Sequence, residues 1–182
     1  MPRPSSKEII LEAAEAIVVE SGASHMTLDA VAERAGISKG GLMYNFPTKE
    51  ALHEAMIGRM AQRFDHLREK VRQELSTDPP NELMVEIRTL QGKSHADHRL
   101  SAALLAVTAN HPELADPIHK ELRSRFFDKL TSKGNFTRSS ILYFAAMGLH
   151  FHDLLNLSML DNKLRKEVFD ELLRLAGGDE DI

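Results

Sequence analysis

The chain has 182 residues, of which 42% are hydrophobic and 27% charged, and its formal net charge at pH 7 is −4. This composition is typical of a folded globular protein and excludes a disordered or fibrous chain, while the length suits one domain or a small module fused to a larger one. The sequence contains no cysteine, which excludes a disulfide framework and thiolate metal ligands and favours the cytoplasm.

The N-terminal segment does not have the pattern of a signal peptide, because glutamates recur through its apolar stretch. The most apolar run of the chain, residues 141–160, contains His150, His152 and Asp153, and it is therefore too polar for a membrane span. We expect neither export by that route nor membrane insertion.

Three helices are predicted at the N-terminus. Each begins after a hydroxyl side chain that can accept a hydrogen bond from a first-turn N–H, and the first two end at a glycine. Ser5 with Glu8 has the spacing of a capping box. The predicted helices cover residues 6–21, 28–35 and 39–45, their caps are Ser5, Thr27 and Ser38, and the glycines are Gly22 and Gly36.

Six further helices follow. Pro47-Thr48 opens a long fourth helix, with apolar residues three and four apart until about residue 75. Asp116-Pro117 is predicted to open the seventh helix and Thr137 to cap the eighth. The helices after the fourth are predicted over about 81–91, 96–109, 117–131, 138–160 and 163–176. No strand pattern appears, so the predicted fold class is all-α with about nine helices.

Residues 27–46, TLDAVAERAGISKGGLMYNF, have the spacing of a helix-turn-helix. A tight turn falls at Gly36, and six apolar residues can face inward: Leu28, Val31, Ala32, Ile37, Leu42 and Phe46. The second helix of such a pair presents its N-terminal end to the major groove of DNA, and its candidate outward residues are Lys39, Gly40, Gly41, Tyr44 and Asn45. The alternative is three short helices packed together for structural reasons only.

Charge is unevenly distributed around this segment. Between residues 34 and 49 the charged side chains are Arg34, Lys39 and Lys49, all cationic, whereas residues 8–33 contain only acidic ones. A local cluster of positive charge is what contact with DNA phosphates requires.

The segment GISKGGLMYNFPTKEAL resembles the helix-turn-helix and the following helix of the TetR (tetracycline repressor) family of regulators, and the resemblance covers residues 6–60. It implies a DNA-binding domain over 1–50 and a ligand-binding and dimerisation domain over 51–182. It also implies phosphate contacts from Thr27, Ser38, Tyr44 and Lys49, and base-edge positions for Lys39, Gly40, Gly41 and Asn45. The family often has a tyrosine at the position of Met43, whereas the tyrosine of this chain is the next residue. The phosphate contact of Tyr44 is therefore implied from a position one residue later than in the family.

The apolar segment 138–160 is predicted to be buried, because it is hydrophobic on more than one face. Packing one face on a second subunit, with residues 163–176 alongside, predicts a two-fold homodimer through about 138–176. The alternative is the central helix of a monomeric bundle.

A pocket between helices is the expected sensing site. Its candidate lining residues are Met56, Met60, Phe64, Phe126, Phe127, Tyr143, Met147 and Phe151. The histidine pairs His95/His98 and His150/His152 also suggest a metal site, although His150 and His152 point away from each other on a helix. We predict no metal, no cofactor and no enzymatic activity.

These features predict a dimeric, ligand-responsive repressor, released from a pseudo-palindromic operator in double-stranded DNA by a small-molecule effector. The competing hypothesis is a helical protein that binds a small molecule or a metal, or an enzyme, in which the helix-turn-helix is vestigial.

Overall fold

The computed structural model describes residues 5–75, 80–130 and 135–178, which form nine α-helices and no strand. The helices are α1 Ser6–Ser21, α2 Leu28–Ala35, α3 Lys39–Asn45, α4 Lys49–Leu75, α5 Glu82–Gln91, α6 His95–Asn110, α7 Asp116–Ser124, α8 Phe136–Leu154 and α9 Asn162–Ala176. Short 3₁₀ turns lie at Ala23–His25 and Pro112–Ala115, and α7 continues into a π-helical turn at Arg125–Leu130. The predicted all-α class is confirmed.

The predicted caps of the first three helices are confirmed by their hydrogen bonds. The side-chain oxygens of Ser5, Thr27 and Ser38 accept from the backbone N–H three residues later, at 3.3, 3.1 and 3.1 Å. These bonds satisfy donors that a helix start otherwise leaves unpaired, and they fix where each helix begins.

The chain divides into two compact units. The first consists of the described residues up to Gln62 together with Arg99–Leu114, so α4 and α6 each contribute to both units. Its core is completely buried at Ile10, Ala14, Met26, Val31, Leu42, Leu52 and Met56. The functional boundary predicted at residue 50 lies inside this unit and stays a prediction.

The second unit consists of Arg63–His98 and the described residues from 115 onward. Its core is built from α5, α8 and α9, through the buried side chains of Leu83, Ile87, Leu90, Leu142, Tyr143, Ala146, Phe169 and Leu172. Polar contacts fasten the ends of these helices: Asn81 Nδ2 donates to the carbonyl of Ala176 and Arg138 Nη2 to that of Leu175, both at 2.9 Å.

A buried ion network joins three elements of the second unit. Glu86 of α5 is 4% exposed, and its carboxylate accepts from Arg68 Nε of α4 at 2.7 Å and lies 3.7 Å from Arg125 Nη1. Both guanidinium groups also approach Asp65, at 3.0 and 3.1 Å. Glu86 is therefore the buried counter-charge of two arginines.

The bounds predicted for α8 were wrong at both ends. The helix begins at Phe136, capped by Asn135 and not by Thr137, and it ends at Leu154 although its apolar run continues to residue 160. Asn156 adopts φ 55°, and the N–H groups of Asn156 and Leu157 donate back to Asp153 and His152. This is a Schellman motif with asparagine in the left-handed position, which hydrophobic periodicity does not reveal.

The prediction for the seventh helix also needs correction. It begins at Asp116, and regular α-helix stops at Ser124, where the wider π-helical turn begins. Residue 131, the predicted end, lies outside the described residues. Such π-turns insert a residue into a helical ladder and are rare, so the 3.6-residue period does not predict them.

Candidate nucleic-acid interface

The turn between α2 and α3 is a second Schellman motif. Gly36 adopts φ 67° and ψ 31°, and the N–H groups of Gly36 and Ile37 donate to the carbonyls of Glu33 and Ala32, both at 3.1 Å. Glycine has no Cβ and takes this left-handed conformation without strain. The sequence therefore fixes the angle at which α3 leaves α2.

Gly36→Ala is expected to lower the free energy of unfolding by about 1–2 kcal/mol, because an L-residue is strained at positive φ. A Cβ there would meet no atom within 4 Å, so the strain comes from the backbone alone. Gly40→Ala is the matched control, since that Cβ also points into open space but on a helix, where alanine is preferred. Urea unfolding of both variants measures the difference, and equal effects would contradict this account.

Helix α3 has one buried and one exposed face. Leu42 is completely buried and the following Phe46 is 3% exposed, which confirms their predicted core positions. Tyr44 is 89% exposed and Met43 44%, while Lys39 and Gly40 at the start of the helix are exposed. The solvent side of α3 thus offers its first turn and a tyrosine ring to a partner.

The remaining predicted contact residues have mixed environments. Thr27 and Ser38 are exposed, but their hydroxyls also cap helices. Asn45 is half-buried, and its Nδ2 donates to the carbonyl of Gly41 at 2.9 Å. Lys49 is half-buried at the first residue of α4. Asn45 is therefore the predicted base-edge residue whose amide already has a partner within its own helix.

The positive charge predicted for residues 34–49 is partly offset by acidic side chains from neighbouring helices. Lys39 Nζ lies 2.8 Å from a carboxylate oxygen of Asp29. Arg34 donates two hydrogen bonds of 2.6 Å to Glu20, which raise the pKa of Arg34 and lower that of Glu20. Both pairs are exposed, so solvent weakens them, and a phosphate can compete for the cations.

Arg59 of α4 holds that helix against α1, a contact that sequence reasoning missed. Its guanidinium nitrogens lie 3.4, 3.4 and 3.6 Å from carboxylate oxygens of Glu8, Glu12 and Glu15. The signal was present, because glutamates spaced by four and three residues share one face of a helix. Arg59 therefore couples the part of α4 that lies in the first unit to α1.

The predicted ligand-lining residues do not form one group. Met56 is buried in the core of the first unit, and Met60 accepts a hydrogen bond from Ser101 there at 3.4 Å. Phe126, Tyr143 and Met147 belong to the core of the second unit. Phe127 and Phe151 are 47% and 41% exposed. Phe64 lines a cleft in the second unit.

The two histidines of each predicted pair have different environments, and one histidine of the first pair lies beside one histidine of the second. His95 and His152 are exposed, whereas His98 and His150 are buried with ring centroids 5.3 Å apart. Among the described residues, no three histidine, aspartate or glutamate side chains are grouped so as to hold a metal ion. None of the described helices is long and apolar enough to cross a membrane.

A helix-turn-helix whose second helix presents an exposed N-terminal end is the arrangement with which the class of helix-turn-helix transcriptional regulators contacts DNA. Residues 10–56 match the family of bacterial regulatory proteins of the tetR type, and residues 85–177 match the tetracyclin repressor-like C-terminal domain. The chain belongs to the TetR family of transcriptional regulators.

Individual relatives support the same assignment. The HTH-type transcriptional regulator TtgR of Pseudomonas putida is 31% identical over an alignment of 91 residues, and the match covers 44% of this chain and 43% of TtgR. The matched segment therefore spans less than half the length of that relative.

Solved structures extend the likeness in fold to nearly the whole chain. A transcriptional regulator from Rhodococcus sp. Rha1 has a TM-score of 0.77 at 20% identity, covering 98% of this chain and 99% of that one. A TetR-family member from Streptomyces coelicolor A3 has a TM-score of 0.72 at 22% identity, covering 93% and 98%. The multidrug binding protein EbrR complexed with ethidium has a TM-score of 0.69 at 20% identity, covering 92% and 98%.

Proposed function

We propose that this chain acts as a homodimeric, ligand-responsive repressor that binds a pseudo-palindromic operator in double-stranded DNA and is released by a small-molecule effector. The observation that carries the DNA-binding part is the exposed face of α3, with Tyr44 89% exposed beside a helix start without side chains at Gly40 and Gly41. The proposed site of action is the cytoplasm, and the proposed activity involves no catalysis.

In this proposal α3 enters the major groove with its first turn facing the bases. An added Cβ at Gly40 would meet no atom of the protein within 4 Å, so the glycine leaves room for close approach of the backbone to DNA. An added Cβ at Gly41 would lie 3.3 Å from Ser38 Oγ, so this glycine also accommodates the cap. Lys39, Gly40, Gly41 and Asn45 face base edges, and Thr27, Ser38, Tyr44 and Lys49 contact phosphates.

Lys39→Ala and Tyr44→Ala are each expected to weaken operator binding while the melting temperature stays nearly unchanged. Lys39 exchanges the exposed carboxylate of Asp29 for DNA, and loss of a base contact costs about 1–3 kcal/mol of discrimination. Tyr44 contributes a phosphate contact, so its loss weakens binding to all sequences alike. Mobility-shift titrations over a range of salt concentrations, on DNA flanking this protein's own gene, measure both effects.

Lys120→Ala is the matched control for these variants, because Lys120 is an exposed lysine of α7 far along the chain from the helix-turn-helix. It should bind the operator as the unaltered protein does. If the unaltered protein shifts no DNA even at low salt, the repressor proposal fails and the competing helical binding protein or enzyme is favoured. If Tyr44→Ala unfolds, Tyr44 has a structural role.

Dimerisation is proposed through residues 138–176, because α8 and α9 expose large apolar side chains. Ile141 and Phe144 of α8 are 63% and 61% exposed, and Leu164 and Val168 of α9 are 47% and 39% exposed. Apolar area of this kind is normally covered by a partner. A two-fold dimer also places two recognition helices about 34–36 Å apart, the spacing of half-sites one helical turn apart.

Effector binding is proposed in the second unit, with α4 as the transmitting helix. EbrR, a neighbour in fold, has been crystallised with imidazole, ethidium and malachite green, which supports a small-molecule site in this chain. An effector shifts the protein only if it prefers one of two conformations. Helix α4 contributes to both units, and Arg59 holds the part of α4 in the first unit to α1. Helix α4 is therefore the proposed link.

A further inference from the structure

We propose that the second unit contains a binding site for a small monocarboxylate with an apolar body, centred on Lys93, His98 and His150. The inference rests on the proposed function, since it names the chemical class of the effector. It is carried by three buried or half-buried polar groups that meet without a carboxylate among them.

Lys93 lies in the loop between α5 and α6, with its ammonium turned into the unit. Lys93 Nζ lies 3.9 Å from the centroid of the Phe64 ring and 3.3 Å from His150 Nε2. Within the described residues no carboxylate oxygen lies within 4.0 Å of it, and burial lowers its pKa to about 8. At pH 7 the side chain is still mostly charged, so it is a desolvated cation that contacts a ring face and an imidazole, while Glu86 and Asp97 favour its charge from beyond contact distance.

The two histidines contribute nitrogen atoms that have no partner. His150 and His98 are 5% and 7% exposed, and His150 Nδ1 and His98 Nε2 are buried without a hydrogen bond. Burial lowers the pKa of both, that of His150 to about 3, so both are neutral at pH 7. Because the ammonium donates to His150 Nε2, the proton of this ring is on Nδ1, where it is a donor without an acceptor.

The nearby carboxylates do not contact Lys93, because each has a closer partner, although Glu86 and Asp97 favour its charged form from a distance. The nearest partner distances are 2.7 Å for Glu86 to Arg68, 2.6 Å for Asp97 to the Ser94 hydroxyl and 2.6 Å for Asp153 to Arg165. A bound anion would balance the charge of Lys93 and accept a hydrogen bond from the His150 imidazole. It would thereby remove an unpaired cation and an unpaired donor, both of which buried polar clusters normally avoid.

A cleft of about 360 Å³ reaches Phe64 and Gly92 beside this cluster, although Lys93, His98 and His150 do not themselves line it. In the proposal this cleft takes the apolar part of the ligand. Its lining includes Phe64, whose ring contacts the Lys93 ammonium, and Gly92, the residue before Lys93. The complete lining is Arg63, Phe64, His66, Leu67, Lys70, Gly92 and Asp97. Arg63 and Lys70 lie 3.9 and 3.8 Å from carboxylate oxygens of Asp97 and Glu74, so the preference for an anion comes from Lys93 and not from the cleft. The volume of the cleft suits a molecule of modest size.

Calorimetric titration of the full chain with phenylacetate and with phenylacetamide tests the charge requirement, because the two differ mainly in the carboxylate. Phenylacetate is expected to bind and the amide to bind much more weakly. Lys93→Met should lower phenylacetate affinity by about tenfold to a hundredfold, the loss of one charge-assisted hydrogen bond. Lys120→Met is the matched control, since it removes an exposed lysine of the same unit, and it should bind phenylacetate normally.

A second measurement follows the imidazoles directly and does not depend on the Lys93 variant folding. In nitrogen-15 spectra, the side-chain resonances of His98 and His150 should shift on addition of phenylacetate and stay unchanged with phenylacetamide. His150→Gln, which removes the imidazole and retains an amide donor, should weaken phenylacetate binding less than Lys93→Met does.

Four outcomes overturn the proposal: equal binding of acid and amide, full affinity in Lys93→Met, no binding of phenylacetate at millimolar concentration, or equally tight binding of inorganic phosphate. The last would make this a site for inorganic anions. None of these results affects the mobility-shift assay in the absence of ligand. Failure of the carboxylate site and failure of the repressor proposal are therefore distinguishable.

Discussion

Phe144→Asp is expected to convert the proposed dimer into a monomer and to lower operator affinity by about 10²- to 10⁴-fold. Phe144 is 61% exposed on α8, next to Ile141 at 63%, and a carboxylate at the centre of an apolar contact would have to be desolvated without a partner. A monomer also loses the affinity that is gained by linking two DNA-binding domains, and the estimated 10²- to 10⁴-fold loss is the size of that gain.

Light scattering after size exclusion measures the first effect and mobility-shift titration the second. Leu122→Asp is the control, because Leu122 is an apolar side chain of α7 that is also exposed, at 39%, but lies outside residues 138–176. It should stay dimeric and bind the operator normally. A monomeric unaltered protein that still binds the operator tightly would support the alternative of a monomeric bundle.

Glu86→Gln is expected to lower the free energy of unfolding of the second unit by about 3–5 kcal/mol, the loss found when one partner of a buried ion pair is removed. The side chains of Arg68 and Arg125 are only 13% and 12% exposed. Without the carboxylate, two largely buried guanidinium groups lose a buried counter-charge, although each retains its contact with the more exposed Asp65. Glutamine retains the shape of glutamate, so the effect reports the charge.

Urea unfolding followed by circular dichroism measures this loss. Glu171→Gln is the control, since Glu171 forms an exposed pair with Arg174 on the surface of α9, and exposed pairs contribute little. A similar small effect for both variants would mean that water reaches the guanidinium groups and that the network is not a buried one.

The helix-turn-helix could be predicted from sequence because its determinants are local. The hydrogen bonds that define the motif, at Thr27, Ser38 and Gly36, join residues three to five positions apart. The residues close in sequence are therefore enough to predict α2, the turn and α3. The same locality failed at Asn156, where an asparagine ends α8 inside a continuing apolar run. There two local signals conflicted, and hydrophobicity was the wrong one to follow.

The sequence by itself determined the class of fold, the starts of the first helices and the exposed position of Tyr44, because these depend on periodicity and on capping within a few residues. Only the tertiary structure decided which charges meet. Lys39 is paired with Asp29, Glu86 serves two arginines, and Lys93 reaches His150 across 57 positions of sequence. Contacts of this kind depend on how helices pack, and a side chain's partner, burial and pKa follow from that packing and not from its neighbours in the chain.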